Sequence, residues 1–132
     1  MNRQDQTLRI EIRHGEDHAV IIPRDYLNAL TGDRIDKACE QLVERGVRYI
    51  IINFGQIELI NTIGISILVG IIEKVLARHG LIYFPELGGT NREIFEVLGL
   101  QTVAMIFPTD EDALAHMRHD QRTWRPAISE GG

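Results

Sequence analysis

Two periods of apolar and polar residues organise this chain, one of about two residues and one of about three and a half. In "TLRIEIRHGEDHAVIIP", Leu8, Ile10 and Ile12 alternate with charged residues, Gly15-Glu16-Asp17 turns the chain, and an apolar run resumes. This predicts a β-hairpin whose first strand has one wet face. From Thr31 the period lengthens: Ile35, Ala38, Cys39, Leu42 and Val43 recur at helical spacing, with Thr31 or Asp33 as cap and Gly46 as stop. An amphipathic helix of about three to four turns is expected there. "VRYIIINF" is apolar on both parities, the pattern of a central strand covered on both faces.

The strand is expected to end near Phe54, a loop follows, and a second helix begins at Asn61-Thr62. Its stripe is Gly64, Leu68, Ile71, Val75 and Leu76, and His79-Gly80 ends it. "LIYFPEL" reads as the next strand, and "GGTNREIFEVLGL" as a turn and a capped short helix with Ile94, Phe95 and Leu98 facing inward and Gly99 as stop. "TVAMIFP" is a last strand and "TDEDALAHM" a last helix, capped by Thr109, with acids in the first turn where the helix dipole favours them. The order β-β-α-β-α-β-α-β-α predicts an α/β fold with a mixed, mostly parallel sheet of about five strands and about four helices. Residues 1–118 form the expected domain. Residues 119–132 lose periodicity and read as a flexible tail, in which Trp124 between Arg122 and Arg125 is a lone aromatic that anchors to a partner, folds back or does neither.

Composition narrows the function classes. At 132 residues the chain is one domain, and 44% apolar with 25% charged residues is ordinary for an ordered globular protein. A net charge of −5 argues against a dedicated nucleic-acid binder. The single Cys39 cannot form an intrachain disulfide, which fits a reducing compartment. The start lacks an apolar core after a basic segment, so it does not read as a secretory signal, and a cytoplasmic protein is expected. The most apolar window, Ile57 to Val75, is interrupted by Glu58, Asn61 and Glu73, short of the roughly 20 clean residues of a membrane helix, so no membrane insertion is expected.

Candidate chemistry is sparse. His14, His18, His79, His116 and His119 have no acid or Cys at a ligand spacing, so no metal site is expected. "ELGGTN" lacks the endings and spacing of a phosphate loop, no Ser sits in a G-x-S-x-G elbow, and Ser66 lies one turn inside a helix. No catalytic residue and no cofactor are expected. The helix start at Asn61-Thr62 remains, with its unpaired N–H groups and positive dipole end. Capping by Asn61 or Thr62 accounts for it without any function, and a phosphate there is the functional alternative.

The order of elements, the strand "RYIIINF", the loop "GQIELI", the junction "NTIG" and the later "IFEVLGL" together resemble the STAS domain family of bacterial anti-sigma factor antagonists, over about Leu8 to Met117. In that family the junction reads D-S-[ST]-G and its first Ser or Thr is phosphorylated by a partner kinase that doubles as the anti-sigma factor. The resemblance places Thr62 at the phosphoacceptor and Gly64 at the Gly, with Asn61 in place of Asp and Ile63 in place of Ser or Thr. "PRDYLNAL" stands where the family has G-x-L-D, with Asp25 or Asn28 in its polar role. The resemblance thus implies a non-catalytic regulatory protein that binds a serine/threonine kinase through Asn61, Ile63, Gly64, Ser66, Asp25 and Asn28, switched by Thr62 phosphorylation. Ile63 is either part of the docking patch or core. The alternative is a STAS accessory subunit docking on the ATPase of a bacterial lipid-transport ABC system, which resembles this chain in having a Thr at the junction. Monomer or homodimer is left open.

Overall fold

Ile10–His14 (β1) and His18–Pro23 (β2) form the expected hairpin. The computed structural model describes residues 10–123, so Leu8 and Trp124 lie outside the described residues. Strands Tyr49–Ile52 (β4), Leu81–Pro85 (β6) and Met105–Phe107 (β7) extend the sheet in the order β1-β2-β4-β6-β7. Every neighbour pair is parallel except β1 with β2. All four residues of β4 are buried, because it is the central strand with a layer on each face.

One face buries Ala19, Ile21, Ile50, Ile52, Ile82 and Phe84 under helices Ala29–Glu44 (α1) and Thr62–Ala77 (α2). Short helix Gly89–Val97 (α3) adds Phe95, which meets Phe84 and Phe54 edge-on at centroid distances of 5.0 and 5.8 Å. The other face places Val20, Ile22, Tyr49, Ile51 and Tyr83 against Ala113 and Met117 of Asp110–Thr123 (α4). Alternate residues of each strand thus supply the two layers, as a period of two requires. The four helices and seven strands of the described residues confirm the mixed α/β class.

Several local expectations are corrected. Two short strands, Asp25–Leu27 (β3) and Ile57–Ile60 (β5), pair in parallel as a separate small sheet where a loop was expected. The cap of α1 is Asn28, not Thr31 or Asp33; its Oδ1 accepts from the Thr31 backbone N–H at 3.0 Å and from the Thr31 hydroxyl at 3.1 Å. Leu76 is exposed at the rim of α2, and Leu98 is exposed because α3 ends at Val97; Leu100, in a single 3-10 turn, fills the core instead. Thr109 caps α4 as expected, its Oγ1 accepting from the Asp112 N–H at 3.1 Å.

Helix α4 runs to Thr123, past residue 118 where the periodicity fades. Polar anchoring does there what apolar spacing does earlier: the Tyr49 hydroxyl donates to Asp120 at 2.6 Å, and Arg48 lies 3.4 Å from the same carboxylate. Burial and that carboxylate push the Tyr49 phenol up to about 12, so it remains a donor. Buried Cys39 is likewise pushed up to about 12 by desolvation, which keeps it a thiol. No helix among the described residues is long and apolar enough to cross a membrane.

Candidate functional site

The site begins with a repeated unit: a short strand, an Asn cap and a helix. Strand β3 leads through Asn28 into α1, and β5 leads through Asn61 into α2. Leu27 pairs with Ile60, and the Asn61 N–H donates to the Leu27 carbonyl at 3.0 Å. Parallel pairing therefore brings both helices to their starts side by side, two positive dipole ends at one end of the molecule. Asn91, buried on α3, donates from Nδ2 to the Ile57 carbonyl at 3.0 Å and ties β5 to the third helix.

Gly64 explains how close the helix comes. A Cβ built there would lie 2.2 Å from the Leu27 carbonyl oxygen, so only a residue without one permits the approach. One turn deeper, Gly32 of α1 faces Ile67 of α2, with 3.2 Å between a built Cβ and the Ile67 side chain. The two helices are drawn together at their first turns.

Asn61 is the α2 cap: its Oδ1 accepts from the Gly64 N–H at 2.7 Å. Thr62, at the first helical position, is therefore not spent on capping. It is exposed, and its hydroxyl has no partner among the described residues. Ile63 is 57% exposed and Ser66, one turn on, is exposed as well. Ile63 is therefore a surface residue and not part of the core. Asp25 is half-buried with φ 68°, and its N–H donates to the Gln56 carbonyl at 3.0 Å, so its place is set by β5 pairing. The geometry brings Asn28, Asn61, Thr62 and Ile63 to one end; Gly64 supports them from below.

Sequence reasoning missed Tyr26, Leu30 and Leu59. Tyr26 and Leu59 are directly paired in β3 and β5, and with Leu30 they are 51 to 63% exposed. With Ile63 they make four solvent-facing apolar side chains from two paired strands and the two first helical turns. A signal was present for Leu30, which falls off the Ile35-Cys39-Leu42 stripe of α1. None existed for Tyr26 and Leu59, whose strands are too short to show a period.

No acid lies in the first turn of α2, so the dipole end is uncompensated. Asn61→Asp, which keeps the cap and adds a charge, is expected to raise stability by about 0.3–1 kcal/mol, and Asn61→Ala to lower it by about 1 kcal/mol. Urea unfolding followed by far-UV circular dichroism distinguishes the two signs.

A family model described as the STAS domain matches residues 9–113, most of the chain. The chain belongs to the STAS domain family. Solved structures share the STAS fold with it. An anti-sigma factor antagonist from Mycobacterium paratuberculosis superposes with a TM-score of 0.73 at 20% identity, covering 84% of this chain and 94% of that one. The phosphorylated form of SpoIIAA, a Bacillus cell fate determinant, gives 0.68 at 20%, covering 82% and 98%. A sulfate transporter family protein from Wolinella succinogenes gives 0.71 at 13%, covering 80% and 88%. No curated protein matches the sequence significantly. Among the described residues no cluster of His, Cys, Asp or Glu suited to a metal ion is present in this STAS domain.

Proposed function

We propose that this STAS domain is a non-catalytic, cytoplasmic regulator of the anti-sigma factor antagonist type, which docks on a serine/threonine kinase through the start of α2 and is released when Thr62 is phosphorylated. The observation that carries the reading is the exposed Thr62 hydroxyl, freed by the Asn61 cap at the end of the molecule where Tyr26, Leu30, Leu59 and Ile63 are also exposed. Apolar side chains on that scale of exposure gain by burial against a partner. A phosphate adds about −1.5 to −2 charge in their midst and must be desolvated for the same contact to form. Attachment and release follow from one modification. Asn28 and Asp25 border the surface, with Asn28 already committed to its cap.

The replacement of the family Asp by Asn61 removes one negative charge beside the acceptor without removing the cap. The kinase that meets this surface therefore recognises backbone shape and apolar contact more than a carboxylate. Incubation with its partner serine/threonine kinase and ATP is expected to add about 80 Da to the wild type and nothing to Thr62→Ala, read by intact mass. An equal gain in both proteins would remove Thr62 from the role of acceptor.

A second reading is favoured by the structural likeness to the sulfate transporter family protein. In it the same surface docks on a transport system, as the accessory subunit of a lipid-transport ABC ATPase. Co-purification with a permease and its ATPase, in place of a kinase, would decide for it.

A further inference from the structure

The outer edge of β1 is unpaired among the described residues, since β1 ends the five-stranded sheet. An open antiparallel edge offers a row of N–H and C=O groups to another strand, and proteins guard such edges with charge. Here the charges do not carry one sign. Glu11 and Arg13 stand two residues apart on the face away from α1, while Ile10 and Ile12 pack on the core side. In the single chain Glu11 meets two cations, Arg13 Nε at 2.6 Å from its Oε2 and Arg24 Nη2 at 3.9 Å from its Oε1, on a side where all three remain well exposed.

We propose that β1 is a self-association edge, on which a second copy of this chain adds its own β1 in antiparallel register about Ile12. That register places Glu11 opposite Arg13 of the second copy and Arg13 opposite its Glu11, and on the core side it sets Ile12 against Ile12, with Ile10 and His14 opposite each other at the two ends. Centring the pair on residue 11 or residue 13 instead sets like charges opposite one another, which is unfavourable. A slip of one residue sets isoleucine against charge and turns one copy over. The strand is thus complementary to itself in one register only, as a two-fold interface requires.

The surroundings accept the second strand. A groove of about 310 Å³ runs between β1 and α1, floored by Ile10, Ile12 and Ala38 and walled by Arg34, Lys37 and Gln41. The half-buried isoleucines gain cover when the sheet continues through the two-fold axis. Lys37 is already neutralised by Asp33 at 3.1 Å, and Arg34 has the reach to keep its head in water at the rim. The contact is small, so a transient dimer is expected, with Kd in roughly the 10–100 μM range.

Sedimentation velocity on the full chain from about 5 to 500 μM tests it, alongside charge exchange at the edge. Wild type is expected to dimerise with concentration. Glu11→Arg alone and Arg13→Glu alone each set like charges across the axis twice, and each is expected to weaken dimerisation about tenfold or more. The double variant Glu11→Arg/Arg13→Glu restores opposite charges across the axis, although Arg24 then lies beside the new arginine, and is expected to dimerise at least about threefold more tightly than either single variant. Far-UV circular dichroism confirms that each variant folds, and slower amide exchange at residues 10–14 at high concentration confines the contact to this edge. Wild type that stays monomeric to the top concentration overturns the proposal and leaves the edge to a strand from a different protein. A dimer indifferent to the single variants, or not rescued by the folded double variant, overturns it as well.

Discussion

Gly64→Ala is expected to cost roughly 2–4 kcal/mol of folding stability, a large share of what a domain of this size has. The added methyl group would lie 2.2 Å from the Leu27 carbonyl oxygen and 2.6 Å from its carbon, and both are main-chain atoms. Leu27 cannot retreat cheaply. Its carbonyl accepts from the Asn61 N–H at 3.0 Å, its backbone pairs with Ile60, and its side chain is fully buried. Relief therefore means separating the start of α2 from β3, which loses the hydrogen bond and opens the small sheet. Gly32→Ala provides the contrast: its methyl would meet side-chain atoms of Ile67 at 3.2 Å, not main chain, so a few tenths of an ångström of side-chain movement relieves it, and the helix gains up to about 1 kcal/mol in propensity over Gly. Urea unfolding of both variants should give a much lower midpoint for Gly64→Ala and one near wild type for Gly32→Ala. Equal midpoints would mean that the close approach at Leu27 does not exist in solution.

Ile63→Glu is expected to reduce affinity for the docking partner by about 30-fold or more while leaving stability within about 0.5 kcal/mol of wild type. The two halves of this expectation have separate causes. Ile63 is 57% exposed, so the folded chain loses little when its side chain becomes polar. At an interface formed by this end of the molecule, the position shares its surface with exposed Tyr26, Leu30 and Leu59, and a carboxylate there would have to be stripped of water. Val97→Glu is the control: Val97 is 85% exposed at the end of α3, outside the paired-strand surface. Isothermal titration with the proposed docking partner should register the first change and not the second. If both variants bind as wild type does, the partner meets a different face. If both lose affinity, the surface extends to α3.

The fold was largely legible because its long elements carry unambiguous periods. Residues 49–52 are apolar on both parities and occupy the centre of the sheet. The Ile35-Cys39-Leu42 stripe and the Leu68-Ile71-Val75 stripe are the buried faces of the two principal helices. Strands β3 and β5 were not legible: three and four residues are too few to display alternation, and their pairing is non-local. The end of α4 was missed because Asp120 holds it through a phenol and a guanidinium more than 70 positions away in the chain, and no hydrophobic spacing records such a contact. The exposure of Leu98 followed from the shortness of α3, whose last turn passes out of the core before it.

At the candidate site the division runs residue by residue. The sequence alone determined that a helix starts at Asn61-Thr62, that a polar cap is needed there, and that Gly64 follows it, since local rules for helix ends depend only on neighbours a few positions apart. The packed structure is what makes Asn61 the cap, and so leaves the Thr62 hydroxyl without a partner among the described residues. It also decided that Ile63 faces water, that Gly64 is required by the Leu27 backbone, and that Tyr26 and Leu59 are paired and exposed just ahead of the two helix starts. Each of these depends on β3 lying against β5, a pairing of segments about 30 residues apart whose register is fixed by the whole packed core, not by any pattern within either segment.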